Sequence, residues 1–144
     1  MLNEIYNRRI LELAADIPHL GRLADADASA TAHSKLCGST VTIDVKLDGD
    51  VVTDFAHEVK ACALGQAAAA LMGAHALGRT PAELEDARDS LRAYLAGERG
   101  DPGAWPGLEA LADARPFTAR HASILLAFEA AAEAAARAAA EART

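Results

Sequence analysis

The chain has 144 residues, with 14 Lys+Arg against 21 Asp+Glu and a formal net charge of −7 at pH 7 with its five His neutral, which is the length of a single domain. Hydrophobic residues make up 51% and charged residues 24%, so a packed core is expected and wholesale disorder is not. The acidic balance, with no compact Lys/Arg stripe, argues against a nucleic-acid binder.

Much of the apolar share is alanine, and with only three Phe, two Tyr and one Trp the core is expected to be closely packed from small residues on helices. The first residues mix both charge signs and lack the pattern of an export signal. The longest apolar stretch, Ala61 to Gly78, is interrupted by Gln66 and His75 and is too weakly apolar for a bilayer span. A cytoplasmic protein without membrane attachment is expected, and its two cysteines are then free thiols, metal ligands or reactive groups rather than a structural bridge.

Leu2, Ile5, Tyr6, Ile10, Leu13 and Ile17 recur at helical spacing and predict an opening helix that Pro18 stops. Ala28, Ala30 and Ala32 alternate within a small, polar stretch and predict a short edge strand. Val41, Ile43, Val45 and Leu47 alternate with Thr42, Asp44 and Lys46, Asp48-Gly49-Asp50 supplies a turn, and Val51 to Val59 returns. This is a hairpin with one buried face. A three-residue turn pairs Leu47 with Val51, Val45 with Thr53, Ile43 with Phe55 and Val41 with His57, and sets Asp44 across from Asp54 on a solvated face. Extended, that register brings position 37 opposite position 61, so Cys37 and Cys62 arrive at the same end of the hairpin.

From Cys62 the text is helical, with Gly78 as a stop. Thr80-Pro81-Ala82-Glu83 reads as a capping box with Pro at the first helical position, opening a helix that ends near Gly97. Glu98 to Gly107 is a Pro/Gly-rich loop with Trp105 against the body, and a short helical piece follows from Leu108 to Ala112. Thr118 is placed to cap a long helix with His121, Ile124, Leu125, Phe128, Ala131 and Ala135 on one stripe. Its alanine-rich end, from residue 131, reads as solvated.

The strongest chemical signal is Leu36-Cys37-Gly38-Ser39-Thr40 before a strand together with Cys62 at a helix start. A sulphur there lies among unpaired N–H groups at the positive end of the helix dipole, the setting of a nucleophile or metal ligand. Gly38 would let the backbone approach whatever Cys37 holds. Both cysteines also fit as small buried hydrophobes. His121, on an inward stripe, could ligate a borderline metal beside two thiolates or hydrogen-bond to backbone in the core. His19, His33, His57 and His75 read as solvent or structural residues. Asp44, Asp48, Asp50 and Asp54 lack the spacing of a calcium loop and read as a solvated face. No phosphate loop, nucleophile elbow, zincin motif or acid/base pair stands out, so an enzyme is not expected.

These residues resemble the iron-sulphur cluster assembly scaffold family, IscU and the N-terminal domain of NifU, and are most similar to its SufU branch. The resemblance spans nearly the whole chain. It is carried by Leu36-Cys37-Gly38 before an alternating strand, Cys62 opening an Ala-rich helix with Leu71-Met72, Gly78-Arg79-Thr80-Pro81-Ala82-Glu83, and His121-Ala122-Ser123-Ile124-Leu125. The spacing from Cys62 to position 122 is like that of SufU. The resemblance implies an α+β fold, a three-stranded antiparallel sheet with helices packed against it, in one domain over residues 1–144.

Two departures stand out. The family's aspartate after Cys-Gly is Ser39, and its third cysteine, implicated in ligation and in accepting sulphur, falls on Ala122. The segment Ala114-Arg115-Pro116-Phe117-Thr118 also differs from the motif read by the specialised chaperone. The resemblance implies a scaffold or carrier of an iron-sulphur cluster or iron held by Cys37, Cys62 and His121, served by a cysteine desulphurase and delivering to recipient apoproteins. Two cysteines from each of two chains would supply the four ligands of a cluster shared in a homodimer. The alternatives are zinc on the same three residues in a sulphur-transfer accessory, or a metal-free interaction protein that modulates the desulphurase.

Overall fold

The computed structural model describes residues 7–35 and 38–142. Helix α1 (Arg8–Ala15) opens at Asn7, whose side-chain oxygen accepts from the Ile10 N–H at 3.0 Å. This is an N-cap. The expected opening helix is present from Arg8 and ends at Ala15, ahead of Pro18. Residues 1–6 lie outside the described residues.

Strands β1 (Ala28–His33), β2 (Thr40–Asp48) and β3 (Val51–Lys60) form one antiparallel sheet in that order. The weak alanine alternation is a true strand: Ala28, Ala30 and Ala32 pair with Val45, Ile43 and Val41 on the core face. The hairpin register differs from the expected one. Asp48 pairs with Val51 across a two-residue turn, and Gly49 at its first central position takes φ 65°, as a type II′ turn requires. Thr53 is then passed over, since Leu47 pairs with Val52 and Lys46 with Asp54. That bulge resets the ladder, so Val45 faces Phe55, Ile43 faces His57 and Val41 faces Val59. Beyond the bulge the displacement from the expected pairing is two residues, so Phe55 and His57 still face the core; nearer the turn Val52 is buried in place of Val51, which is exposed.

The shift does change the partner of Asp44, which faces Ala56 while Asp54 faces Lys46. Asp44 is fully buried, correcting its assignment to a solvated face; Asp48, Asp50 and Asp54 are exposed. Arg22 grips it through Nε at 2.7 Å and a second guanidinium nitrogen at 3.0 Å, the Leu23 N–H donates at 2.9 Å, and the Ser29 hydroxyl donates as well. Burial alone would push this carboxyl up, but the hydrogen bonds from Arg22, Ser29 and Leu23 outweigh it and hold it below the usual carboxylate range. The carboxylate thereby straps the 22–23 segment over the sheet.

Helices α2 (Ala63–His75) and α4 (His121–Ala142) pack against the sheet and α3 (Pro81–Leu95) packs on α4, with short 3₁₀ segments at Leu108–Ala114 and Thr118–Arg120. The capping box is present: Thr80 Oγ1 accepts from the Glu83 N–H at 3.2 Å and Glu83 Oε1 accepts from the Thr80 N–H at 3.1 Å. Trp105 is buried and donates from Nε1 to the Leu71 carbonyl at 2.9 Å. Thr118 does not cap α4; it opens a 3₁₀ turn that runs into His121.

The alanine-rich end of α4 is not solvated either. Ala130, Ala131, Ala132, Ala134, Ala135 and Ala138 are buried, and α4 packs on β1, β2, α2 and α3. Methyl side chains let a helix lie close on a sheet whose β1 also presents alanines, which is why this end is core. Among the described residues no helix is long and apolar enough to cross a membrane.

His57 is fully buried on the core side of β3. Its Nε2 bonds the Pro18 carbonyl at 2.8 Å, and its Nδ1 has no partner among the described residues. Its backbone bonds His19 and Gly21, holding the 19–21 segment to the sheet. Burial pushes its pKa below the ordinary histidine value, opposed by the Pro18 hydrogen bond. Gly73 makes room for this contact: a Cβ there would come within 2.7 Å of the Pro18 carbonyl oxygen and 3.2 Å of Nε2.

Two outcomes follow. Asp44→Ala is expected to cost about 1–3 kcal/mol by urea unfolding at pH 7, because it strands the part-buried donors of Arg22, Leu23 and Ser29. The lowered pKa of His57 means that its contribution to stability is full above the unfolded-chain value of about 6.5 and is lost as pH falls through the folded value. His57→Gln, which keeps a donor for Pro18 without a titrating ring, is expected to reduce the difference between urea midpoints at pH 7.5 and pH 5.

Candidate functional site

Cys62 is the N-cap of α2, with φ −67° and ψ 172°, and its carbonyl accepts from the Gln66 N–H at 2.8 Å. Its side chain is half-buried and makes no capping bond to the helix. The sulphur meets the Ser123 hydroxyl instead, at 3.4 Å. Ser123, buried in the first turn of α4, donates in turn to Ser39 Oγ at 3.3 Å. Three separate segments thus converge: the lead into β2, the start of α2 and the start of α4.

The hairpin supplies the first part of this convergence. Thr40 pairs with Lys60 at the end of the β2–β3 ladder, so Ser39 and Cys62 leave the same end of the sheet. Leu36 and Cys37 themselves lie outside the described residues. Around them, the Gly38 N–H donates to the Ser34 carbonyl and the Ser34 N–H to the Ser39 carbonyl, each at 2.8 Å. Gly38 takes φ 70° in this turn, and a Cβ on it would meet nothing within 4 Å. That left-handed backbone is one that glycine adopts without strain.

The approach of α4 to α2 depends on another glycine. A Cβ at Gly65 would lie 2.8 Å from Ser123 Oγ, 3.2 Å from the Ser123 carbonyl oxygen and 2.7 Å from the Ala61 Cβ. Without a side chain at position 65, Ser123 reaches the sulphur.

His121, the first residue of α4, is half-buried. Its Nε2 lies 3.2 Å from the Ala114 carbonyl and 2.9 Å from that of Arg115. Two carbonyl acceptors at one nitrogen place a proton on Nε2, so the lone pair of the neutral ring is on Nδ1. Arg115 is itself fixed by donation to the Tyr94 and Arg99 carbonyls at 2.8 and 2.9 Å and by stacking 4.2 Å from the Tyr94 ring centroid. Residues 121 and 123 lie two positions apart on a helix, about 200° around its axis. The contacts accordingly join Cys62 to Ser123 and hold His121 to the preceding 3₁₀ segment, while Ala122 between them is exposed.

The described residues contain no group of three or more His, Cys, Asp or Glu side chains arranged to hold a metal; the third member of the expected set, Cys37, is outside them. Clefts of about 260 Å³, beside Arg79, Glu83 and Trp105, and about 390 Å³, beside Asp27 and Glu141, are lined by none of these site residues. Ser123 was not anticipated as a functional residue. The one signal in the sequence is its place directly after His121-Ala122.

The fold and this site define a class: a small α+β protein that presents a cysteine at the mouth between a sheet end and two helix starts. Residues 5–97 match the model of the NifU-like N-terminal domain. The chain is 27% identical over 130 residues to the iron-sulphur cluster assembly scaffold protein IscU of Thermotoga maritima, covering 90% of this chain and 92% of that one. Among solved structures, the N-terminal NifU-like protein of Brucella abortus superposes with a TM-score of 0.91 at 47% identity and 97% coverage of both chains. A SufU-type scaffold protein described as putative, from Fervidobacterium islandicum, superposes with a TM-score of 0.85 at 22% identity over 92% of this chain and 98% of that one, a likeness of fold. The chain belongs to the NifU-like N-terminal domain family.

Gly65→Ala is expected to cost about 1–3 kcal/mol, the usual range for overpacking, because two of its three nearest contacts are close and one is backbone. Urea unfolding checks the cost.

Proposed function

We propose that this protein is a non-enzymatic scaffold or carrier in iron-sulphur cluster assembly, with the cluster or its iron as cargo and Cys37, Cys62 and His121 as the protein ligands. The observation that carries the reading is Cys62: a half-buried sulphur at a helix N-cap, at the sheet end where the lead into β2 also arrives, in a chain of the NifU-like family. The donor types suit the cargo, since thiolate sulphur is the usual ligand of iron in clusters and a neutral imidazole is an accepted replacement. Two thiolates and one imidazole per chain fall short of four. A cluster shared by two chains completes the count, with two cysteines from each.

Sulphur is taken to come from a cysteine desulphurase, and recipient apoproteins accept the cargo, in the cytoplasm. The positions where the family carries its aspartate and third cysteine are Ser39 and Ala122, so both ligation and sulphur acceptance rest on the two remaining cysteines. A second reading places zinc on Cys37, Cys62 and His121 in a sulphur-transfer accessory. The Nδ1 lone pair left by the carbonyl-bound Nε2 of His121 favours it.

Anaerobic incubation with iron and sulphide is expected to give a brown protein with visible absorption and a measurable iron-to-protein ratio. Cys37→Ser and Cys62→Ser should each abolish the colour, and His121→Ala should weaken its retention. A colourless, iron-free product overturns the cluster reading, and zinc in the freshly purified protein by elemental analysis then selects the second one. A protein that binds neither metal, and whose Cys37→Ser/Cys62→Ser double variant keeps its cellular phenotype, is an interaction protein that retains only the fold.

A further inference from the structure

We propose that the end of the molecule around Cys62 is a docking surface for an acidic segment of a partner protein, held by Lys35, Lys60 and Arg120. In a chain of net charge −7, cations left without a partner stand out. Every other lysine or arginine among the described residues holds a carboxylate, a hydroxyl or a backbone carbonyl through its side chain. Among the described residues, Lys35, Lys60 and Arg120 hold none.

The fold gathers these three at one end. Lys60 closes β3 opposite Thr40, two residues before Cys62. Lys35 lies in the turn between β1 and β2, which the backbone bonds between Ser34 and Ser39 and between Gly38 and Ser34 close. Arg120 directly precedes His121 at the start of α4, whose Ser123 meets both the Cys62 sulphur and Ser39. Lys35 and Lys60 are exposed and Arg120 is half-buried. The starts of α2 and α4 add the positive ends of two helix dipoles. The carboxylates nearest along the chain to Lys60 and Arg120, those of Glu58 and Asp113, are already engaged, by Arg22 at 3.6 Å and by Asn7 at 3.2 Å.

The opposite end of the sheet has the opposite sign. Asp48 and Asp50 flank the hairpin turn, Asp27 reaches it by accepting from the Leu47 N–H, and Asp25 holds Lys46; all four carboxylates are exposed. The nine residues of β2 separate the two ends, about 27 Å of strand, or roughly three screening lengths at physiological salt. Each end is therefore felt on its own. An acidic protein surface is attracted at the Cys62 end and repelled at the other, which steers its encounter and suppresses the reversed orientation. A long polyanion would meet both signs, so the arrangement suits an acidic segment of limited extent rather than a nucleic acid. That this contact serves the exchange of cargo rests on the reading of Cys62 as a ligand; the charge arrangement does not.

The first test reads the potential at the sulphur. In a Cys37→Ser background, Cys62 is modified by dianionic dithiobis(nitrobenzoate) and by neutral dithiodipyridine at one pH, and the ratio of the two rates cancels the sulphur's own reactivity. The triple variant Lys35→Gln/Lys60→Gln/Arg120→Gln is expected to lower this ratio about 3- to 10-fold at low salt, with a smaller drop at high salt. Lys46→Gln, which removes the same charge at the far end, should leave it unchanged. An unmoved ratio in the triple variant overturns the proposal; if that variant lacks native far-UV circular dichroism, the three single variants decide in the same way.

The second test uses two peptides that carry the same pyridyl-disulphide cysteine, flanked by glutamates in one and by glutamines in the other. The glutamate peptide is expected to react several-fold faster with Cys62 and to lose that advantage in the triple variant. Equal rates with the unmodified surface overturn the proposal. Binding of oligothymidylate at physiological salt, lost in the triple variant, overturns it in favour of nucleic acid, and a sedimentation mass that grows with concentration and does not grow in the triple variant overturns it in favour of a second copy's acidic end. Incubation with iron and sulphide reads the cargo independently: colour with an unmoved ratio overturns this inference alone, and a lowered ratio in a colourless protein overturns only the ligand reading.

Discussion

The distance between two helix starts governs this molecule. Gly65 lacks a side chain in the first turn of α2, and Ser123 in the first turn of α4 occupies the space that a methyl group would take. From that approach follows the contact with Cys62, and through it the link to Ser39 in the lead to β2. The same economy of volume runs along α4, where alanines lie against the alanines of β1 and the valines and isoleucine of β2. Close-packed interiors tolerate little added volume. A helix that lies this close on a sheet presents its first turn at one defined height, and the site sits at that height.

Polar groups inside the fold serve to hold irregular segments to the sheet. Asp44 gathers a guanidinium, a backbone N–H and a hydroxyl and thereby fixes the 22–23 segment. His57 does the same for Pro18 to Gly21 through its ring and its backbone. Each is a titratable group committed to architecture, which separates them from Cys62, whose side chain is half-buried and meets a neutral hydroxyl. His121 lies between these cases: it is half-buried, with one ring nitrogen anchored on carbonyls of the preceding segment.

Much of this was legible in the residues. The alternation in β2, the capping box at Thr80, the helical start after Cys62 and even the alanine alternation of β1 are local patterns, and each became the expected element. The hairpin register was not legible, because a two-residue turn and a bulge at Thr53 together mimic the parity of a plain three-residue turn. Asp44 reads as solvated in any pattern based on alternation, since the strap that covers it comes from a segment with no periodicity. The end of α4 reads as solvated because alanine signals helix propensity without saying which face is buried.

The sequence by itself determined the types of element, their order, and the presence of a cysteine before a strand and another at a helix start, because these depend on neighbours within a few residues. The tertiary structure alone decided that Ser123 rather than Ala122 faces Cys62, that Ser39 completes the contact, and that Asp44 and His57 are interior. Such facts depend on how closely elements far apart in the chain approach one another, and that distance is set by the combined volume of the side chains between them.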